Sequence, residues 1–568
     1  MALTESRSET DASPVAVPAP QTLDGLLGSA DHKTIGRFWI SAGLFFLVTS
    51  LIISLVAAFE ATDLGGFNVV SDADQFTQLW SLGRELLLFG ALLPILIGLA
   101  TYLVPLQIGA PAIAFARGAA GAFWTWLLGT GLLVVAYVLN GGPGGGRADF
   151  VVLWIASLGM LIVAMLWALI IVATTILGAR TSGMSLDRVP LTTWSFFVFS
   201  MFGLLSLPVM LAELALTYVR VRHGFVPLEA RQGLVGVTDS LNLVPALYWL
   251  AIPVLGMAAD AIGVHTSRPI RAHKPVMAAV GALAIVAYSE DFYGFASVRP
   301  INFNHALLNL AIAASILPIL GVLALAGESL RRGTARVTVA LVGSLLSGLV
   351  MLLAAVVSLL GLVEPVALFL DKQTPINVNL QKLLILNGTT FHEGIRGLVI
   401  GATVVSLIAA LHHWSAKIWG RRLAEPLGFA SLLAAAGGAV LWGLGAILAG
   451  VDDQPAYPAA TLGGGDNVEL FNLIALVGIA LVTAGGLILA LNAAQSALGR
   501  NSARAGASGA RDWSGTTLEW ATSSPPSFGN FERPPVVTSA TPLAGGLAPE
   551  SENVSESSAP ESSAGGEA

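Results

Sequence analysis

Residues 81–90 read SLGRELLLFG and run without a break into ALLPILIGLATYLVPL (91–106). The second part is apolar and long enough to cross about 30 Å of hydrocarbon, which takes roughly 20 helical residues. Yet Arg84 and Glu85 stand beside Gly83 near its entrance. A charge at membrane depth is costly and marks a function or a buried partner. What these three residues do depends on the rest of the chain.

Composition sets the class. Hydrophobic residues make up 55% of the 568 and charged ones 11%, against about 25% charged in a soluble domain. Apolar runs of spanning length recur about twelve times, beginning near Arg37, Leu82, Ala122, Val151, Thr192, Leu243, Pro275, Ala306, Arg336, Leu384, Leu427 and Leu470. This predicts an all-α integral membrane protein of about twelve transmembrane helices, with the lipid bilayer as its first partner. The absence of cysteine excludes disulfides, thiolate metal sites and thiol nucleophiles. The net charge of −7 owes much to the acidic end PESENVSESSAPESSAGGEA (549–568) and predicts no nucleic-acid partner.

Basic residues set the orientation. With a cytoplasmic N-terminus, the inner loops hold Arg180 and Arg188; Arg268, Arg271 and Lys274; Arg331 and Arg332; Lys417, Arg421 and Arg422. The loop with Arg220, Arg222 and Arg231 breaks the pattern. The predicted organisation is a disordered cytoplasmic segment over 1–30, a twelve-helix membrane domain over 31–495, and a disordered Ser/Gly/Pro-rich cytoplasmic tail over 496–568. The first thirty residues lack the basic-then-apolar layout of a cleaved signal peptide. A multi-pass protein of the cell membrane with both termini inside is expected.

Several stretches resemble one family in collinear order: DHKTIGR (31–37), YLVPLQIGAPAIAFARG (102–118), GARTSGMSLDRVPLTTWSFFVFSMFGLLSLPV (178–209), SRPI (267–270) and TLEWATSSPPSFGNFERP (517–534). The chain is similar to subunit I of the haem–copper oxidases, above all the actinobacterial aa3-type cytochrome c oxidases. The resemblance implies two axial histidines on a low-spin haem, one on a high-spin haem and three on a copper ion. Neutral imidazole nitrogens aimed inward are what iron and copper need there. This chain holds eight histidines: His32, His223, His265, His273, His305, His392, His412 and His413. Only His392 and His305 are expected within the membrane, so six buried imidazoles cannot be gathered.

Carried over by position, the resemblance puts Gly83 at the first low-spin haem ligand. Val244 takes the place of a copper histidine and Ala246 that of the proton-delivering acid in Val244-Pro245-Ala246-Leu247-Tyr248. Glu290 and Asp291 replace the paired copper histidines, and Gly394 and Arg396 stand at the two remaining haem positions. His392, one turn earlier, becomes a ligand only in a shifted register. The acid opening one proton channel falls at Ala112, the eighth span shows no lysine for the other, and Asp452-Asp453 replace an arginine pair over the propionates. Carboxylates there would repel propionates. No haem or copper is therefore expected, unless the chain is a working oxidase after all.

The expected use of the emptied space is a buried charge network, with Arg84 and Arg396 cross-paired to Glu85, Glu290, Asp291 and Glu393. Buried charges are tolerable only when paired. Plainer readings stand beside it. Arg84 snorkels to headgroups, or Glu290, Asp291, His392 and Glu393 hold a single metal ion. His412-His413 lie at the inner interface, Tyr248 is a packed aromatic, Glu213 faces water, and Asp260 is structural. Three functions compete: a redox-inactive scaffold or accessory subunit of a respiratory membrane complex, beside other oxidase-like subunits; a catalytic terminal oxidase passing electrons from cytochrome c to dioxygen and pumping protons; and a transporter or lipid- or quinone-binding protein.

Overall fold

The computed structural model describes residues 28–62, 69–70, 72–223, 246–296 (side chains as far as 288), 313–362, 386, 388–456, 465–499, 515–531 and 533–544. Among the described residues the apolar runs form twelve helices. They are α1 (His32–Glu60), α2 (Ala73–Gln107), α3 (Ala116–Val138), α4 (Ala148–Gly178), α5 (Leu191–Arg222), α6 (Ala246–His265), α7 (His273–Ala296), α8 (Ile316–Arg332), α9 (Val339–Gly361), α10 (Phe391–Trp419), α11 (Glu425–Val451) and α12 (Val468–Ala497). Ten are long and apolar enough to span a membrane. The described apolar part of α7 stops at Tyr288, and α8 has 17 residues, its expected start at Ala306 lying outside the described residues. The protein is a multi-pass helical membrane protein.

Local chemistry sets the helix starts. Asp31 accepts from the Lys33 amide at 3.3 Å, Asp72 from Gln75 at 2.8 Å and Thr338 from Leu341 at 3.2 Å, each satisfying a first-turn donor that has no intrahelical partner. α2 starts at Ala73, so Gly83 to Glu85 lie well inside the helix rather than at its entrance. Just after them the backbone widens into a π-turn over Leu86–Leu92. Pro94 follows at once; it cannot donate to Gly90, and its ring crowds that carbonyl. The looser winding relieves the clash, and the Trp126 indole donates to the Phe89 carbonyl at 2.9 Å from α3.

The helices are layered. In α2 and α10 the whole apolar window is buried, and in α6 89% of it, whereas α1, α3 and α12 bury half or less. These three central helices are walled by the others, with α11 on α12, α10 on α11, α9 on α10, α3 on α4 and α1 on α2 as the broadest contacts. Phe45, Leu128, Leu205, Leu349, Leu433 and Leu491 point outward, each more than half exposed. Apolar side chains turned outward at these depths face lipid tails.

One part of the sequence expectation gives way. Within the stretch read as an unpacked tail, residues 515–531 and 533–544 form a strap across the bundle end that carries the starts of α1, α3 and α5. Leu518, Glu519, Trp520 and Val537 are each 3% exposed or less. Val537 donates to the Ser182 carbonyl at 3.0 Å, Asn530 Nδ2 to the Ala110 carbonyl at 2.7 Å, and Lys33 Nζ to Asn530 Oδ1 at 3.1 Å. Composition rich in Ser, Gly and Pro hid these anchors.

Candidate functional site

At the end opposite the strap, α2 presents Gln78, Ser81, Arg84 and Glu85 to its neighbours. Gln78 Nε2 donates to Asn140 Oδ1 at 2.5 Å, and the Ser81 and Tyr137 hydroxyls pair at 2.7 Å. Arg84, 5% exposed, pairs with Glu393 of α10 and lies over the Trp80 ring at 4.3 Å. Glu393 also faces Arg396 at 4.0 Å. The spacing explains this: residues three apart on a helix share a face, so Arg396 stands on the side of α10 from which Glu393 reaches Arg84. Arg84 therefore sits buried against a carboxylate.

Glu85 takes other partners than the expected arginines. Its two oxygens accept from the Trp154 indole at 3.2 and 3.1 Å, with Tyr137 alongside. Nothing in the order of residues points to Trp154 or Tyr137, because indole and phenol donors on α4 and α3 only reach Glu85 once the bundle is assembled. Glu290 and Asp291 lie on α7, but their side chains are outside the described residues, as is Val244.

The two glycines at implied haem-ligand positions face neighbouring helices. A Cβ at Gly83 would meet Ser54 Oγ at 3.1 Å and Ile53 Cγ2 at 3.3 Å on α1. At Gly394 it would fall 2.5 Å from the Gly443 carbonyl oxygen and 2.6 Å from the Ile447 nitrogen on α11. Gly397 continues the stripe, with Trp442 3.0 Å from its missing Cβ. Small residues let helices approach closely in a membrane, and here the stripe brings α10 onto α11. An imidazole at 394 has no space in this packing, and at 396 stands a buried guanidinium, 4% exposed. The residues present do not fit a haem held from these positions.

The histidines are distributed differently from expectation. His392 is half-buried at the start of α10, beside the Phe391 ring at 5.5 Å. His305 lies outside the described residues. His32, His265, His412 and His413 are all 5% exposed or less, at the strap end. His265 Nε2 and His413 Nδ1 lie 3.1 Å apart, and His412 Nδ1 is 2.8 Å from the Ile408 carbonyl. Among the described residues no three of His, Asp and Glu come together as a group that could hold a metal ion.

The remaining candidates fall into plain roles. Tyr248 is fully buried with its hydroxyl 3.2 Å from Ser358 Oγ. Asp260 accepts from the Thr192 amide at 2.8 Å, pinning the start of α5 to α6. Asp452 accepts from the Asn467 amide at 3.0 Å within its own loop. Glu213 and Ala112 are exposed, and Ala246 is buried.

Comparison with known proteins sets this geometry in a family. The model of "Cytochrome C and Quinol oxidase polypeptide I" matches residues 34–481. The chain is 24% identical over 541 residues to cytochrome c oxidase subunit 1 of Synechocystis, covering 89% of this chain and 90% of that one. It is 26% identical over 548 residues to cytochrome c oxidase subunit 1 of Bacillus subtilis, covering 91% and 82%. A probable cytochrome c oxidase subunit 1-beta of Nocardia farcinica is 26% identical over 324 residues; that match covers 53% of this chain and 54% of the relative.

Proposed function

Because the chain belongs to the cytochrome c and quinol oxidase polypeptide I family, we propose that it is a redox-inactive member of it, acting as a scaffold or accessory subunit of a respiratory membrane complex. The carrying observation is at Gly394: the helix face where a haem ligand would stand is closed by the Gly443 carbonyl, 2.5 Å from any added Cβ. The same face-by-face pattern supports the reading elsewhere. Gly83 packs on Ile53 and Ser54, while Val244, Glu290, Asp291 and Arg396 hold no imidazole.

The ionic cluster supports it from the other side. Removing a bulky cofactor leaves space, and empty space in a packed interior is destabilising. Arg84, Glu393 and Arg396 supply bulk and pair their charges between α2 and α10. A scaffold needs this shape kept without the chemistry, and other respiratory subunits are the partners it would hold.

The test is the pigment and metal content of the full-length protein purified from its own membranes. Visible absorption without a Soret band, with iron and copper far below one per chain, is expected. Stoichiometric haem retained through purification would overturn the reading in favour of a catalytic oxidase. Co-purification of membrane subunits with the colourless protein would identify the scaffolded complex.

A further inference from the structure

Opposite the ionic cluster, the strap end of the bundle carries a strongly basic surface. The loop after α6 holds Arg268 and Arg271, and the end of α8 with the loop that follows holds Arg331 and Arg336, all four exposed. The two loops form one surface. The Thr334 amide donates to the Thr266 carbonyl at 3.1 Å and the Arg336 amide to the His265 carbonyl at 3.0 Å. Gly333 packs against the Thr266 carbonyl with no room for a Cβ. Arg336 and Arg422, the latter from the loop after α10, both lie within electrostatic reach of His265.

Local carboxylates answer only part of this charge. Asp187 pairs with Lys274 at 3.2 Å and Glu328 with Arg332 at 3.0 Å. Glu425 accepts from the Val339 amide at 2.9 Å. Arg268, Arg271, Arg331 and Arg336 form no ion pair among the described residues. Like charges gathered on one face repel one another, and an anionic partner relieves that repulsion.

The strap leads such a partner to the place. Its described part ends at Ala544, where the Leu543 amide donates to the Thr516 carbonyl at 3.1 Å. Just before that, Ala540 and Thr541 line a small cavity together with Pro269 and Ile270, the two residues between Arg268 and Arg271. The residues that follow, 545–568, carry Glu550, Glu552, Glu556, Glu561 and Glu567 and neither lysine nor arginine. Glu550 stands six residues past Ala544, and six extended residues reach about 20 Å, roughly the width of two helices. Exposed ion pairs contribute little one at a time. A short tether raises the effective concentration of the glutamates to about the mM range, so several weak pairs can act together.

We propose that the acidic segment 545–568 docks on this basic surface, its glutamates pairing with Arg268, Arg271, Arg331 and Arg336. The strap is already seated on the same end of the bundle through Leu518, Trp520 and Val537, so the docked segment prolongs an existing contact towards the ends of α6 and α8. Anionic lipid headgroups are also drawn to basic surfaces, but they must be recruited from the bilayer, whereas the glutamates are tethered beside the loop. The docking is electrostatic and weakens as salt screens it.

The chain has no cysteine, so introduced ones carry spin labels without competition. Ala335→Cys, exposed beside Arg336, and Ser557→Cys in the acidic segment report their separation by pulsed electron resonance in the full chain, held in phosphatidylcholine nanodiscs. A short, narrow distance population is expected at about 0.01 M ionic strength, where the screening length is ~30 Å. Most of it should vanish at about 1 M, where that length is ~3 Å. Glu550→Gln, Glu552→Gln, Glu556→Gln, Glu561→Gln and Glu567→Gln together should abolish it at low salt while thermal unfolding of the bundle stays where it was. Arg331→Gln with Arg336→Gln should reduce it. A broad distribution indifferent to salt and to the glutamates would overturn the proposal. So would a separation unchanged by the glutamine variant, together with phosphatidylglycerol enriched around the wild type but not around the arginine variant in mixed-lipid nanodiscs. That outcome would assign the surface to lipid headgroups.

Discussion

The two ends of the bundle solve the same problem in opposite ways. Both bury charged side chains against α2 and α10. At the far end, Glu393 meets both Arg84 and Arg396 in an ionic cluster whose strength depends on each charge keeping its partner. At the strap end, the buried Lys417 Nζ donates to the Thr522 carbonyl at 2.6 Å and the Ser523 carbonyl at 3.3 Å, neutral acceptors held by a separate segment. The Tyr102 hydroxyl adds a donation to the Lys417 carbonyl at 2.5 Å, tying α2 to α10 there. An ion pair fails as a unit when one member is removed, whereas a latch of many neutral bonds loosens piece by piece. The difference teaches where the fold is brittle.

The largest effect is therefore expected at Arg84. Arg84→Met leaves Glu393 without that guanidinium, and breaking a buried pair costs about 3 kcal/mol, the low end because Glu393 keeps a fifth of its side chain exposed. Thermal unfolding in nanodiscs should show it. Arg84→Met with Glu393→Met should recover part of the loss, since the carboxylate left by the first substitution is gone while Arg396 gives up its contact with Glu393. A double variant as unstable as the single one would mean that the pair is no pair.

Next comes the glycine stripe. Gly394→Ala forces a methyl against the Gly443 carbonyl at 2.5 Å and should cost about 2 kcal/mol by overpacking. Gly394→His should cost at least as much and bring no haem with it in the same absorption measurement. A stable Gly394→His variant that acquires a Soret band would show that the far end still has room for a haem.

How much of this contrast could be read from the sequence follows from range. The helices were legible, because apolar runs of spanning length have no other stable fate in lipid. Arg84, Glu393 and Arg396 were legible as a cluster, because buried charges must find each other. Glu85 was not: its acceptors are met by Trp154 and Tyr137, and an indole or phenol carries no charge to advertise its partner. The π-turn was hidden because Pro94 can be accommodated in several ways. The strap was hidden because Leu518, Trp520 and Val537 are too few and too scattered among Ser, Gly and Pro to look like a packed element. His265 and His413 sit 148 positions apart, and only the bundle brings them together.

Lys417 probes the latch itself. Lys417→Met keeps the aliphatic bulk but removes the donors to Thr522 and Ser523. Hydrogen bonds from a charged group contribute about 1.5–3 kcal/mol. Because Lys33–Asn530 and Val537–Ser182 remain, the loss should stay local, near 1.5 kcal/mol on that scale. The expected readout is faster proteolysis within 515–531 with the membrane helices unchanged. Global unfolding at the same temperature shift as Arg84→Met would erase the contrast between the ends.

The smallest and most diagnostic effect is in pH. Burial pushes the Glu519 carboxyl above its ordinary range, opposed by hydrogen bonds from Gln107 and Thr517. A carboxyl raised in the folded state binds its proton there more tightly than in the unfolded chain. Its contribution to strap docking is thus full below the unfolded pKa, about 4.3. That contribution declines as pH rises towards the folded pKa and is constant above it. Lys417 and His413 stand on the α10 side and Asp260 on α6; none changes the sign while Lys417 stays charged and hydrogen-bonded. Hydrogen–deuterium exchange of the 515–531 amides, corrected for intrinsic rates, should show protection falling from pH 5 towards neutrality in the wild type. Glu519→Gln cannot ionise and should flatten that slope while leaving exchange in α2 and α10 as it was. An equal slope in the variant would mean that the latch answers to another group. A slope of opposite sign would mean that Glu519 is held ionised, and the two ends of the bundle would then be alike in relying on buried charge.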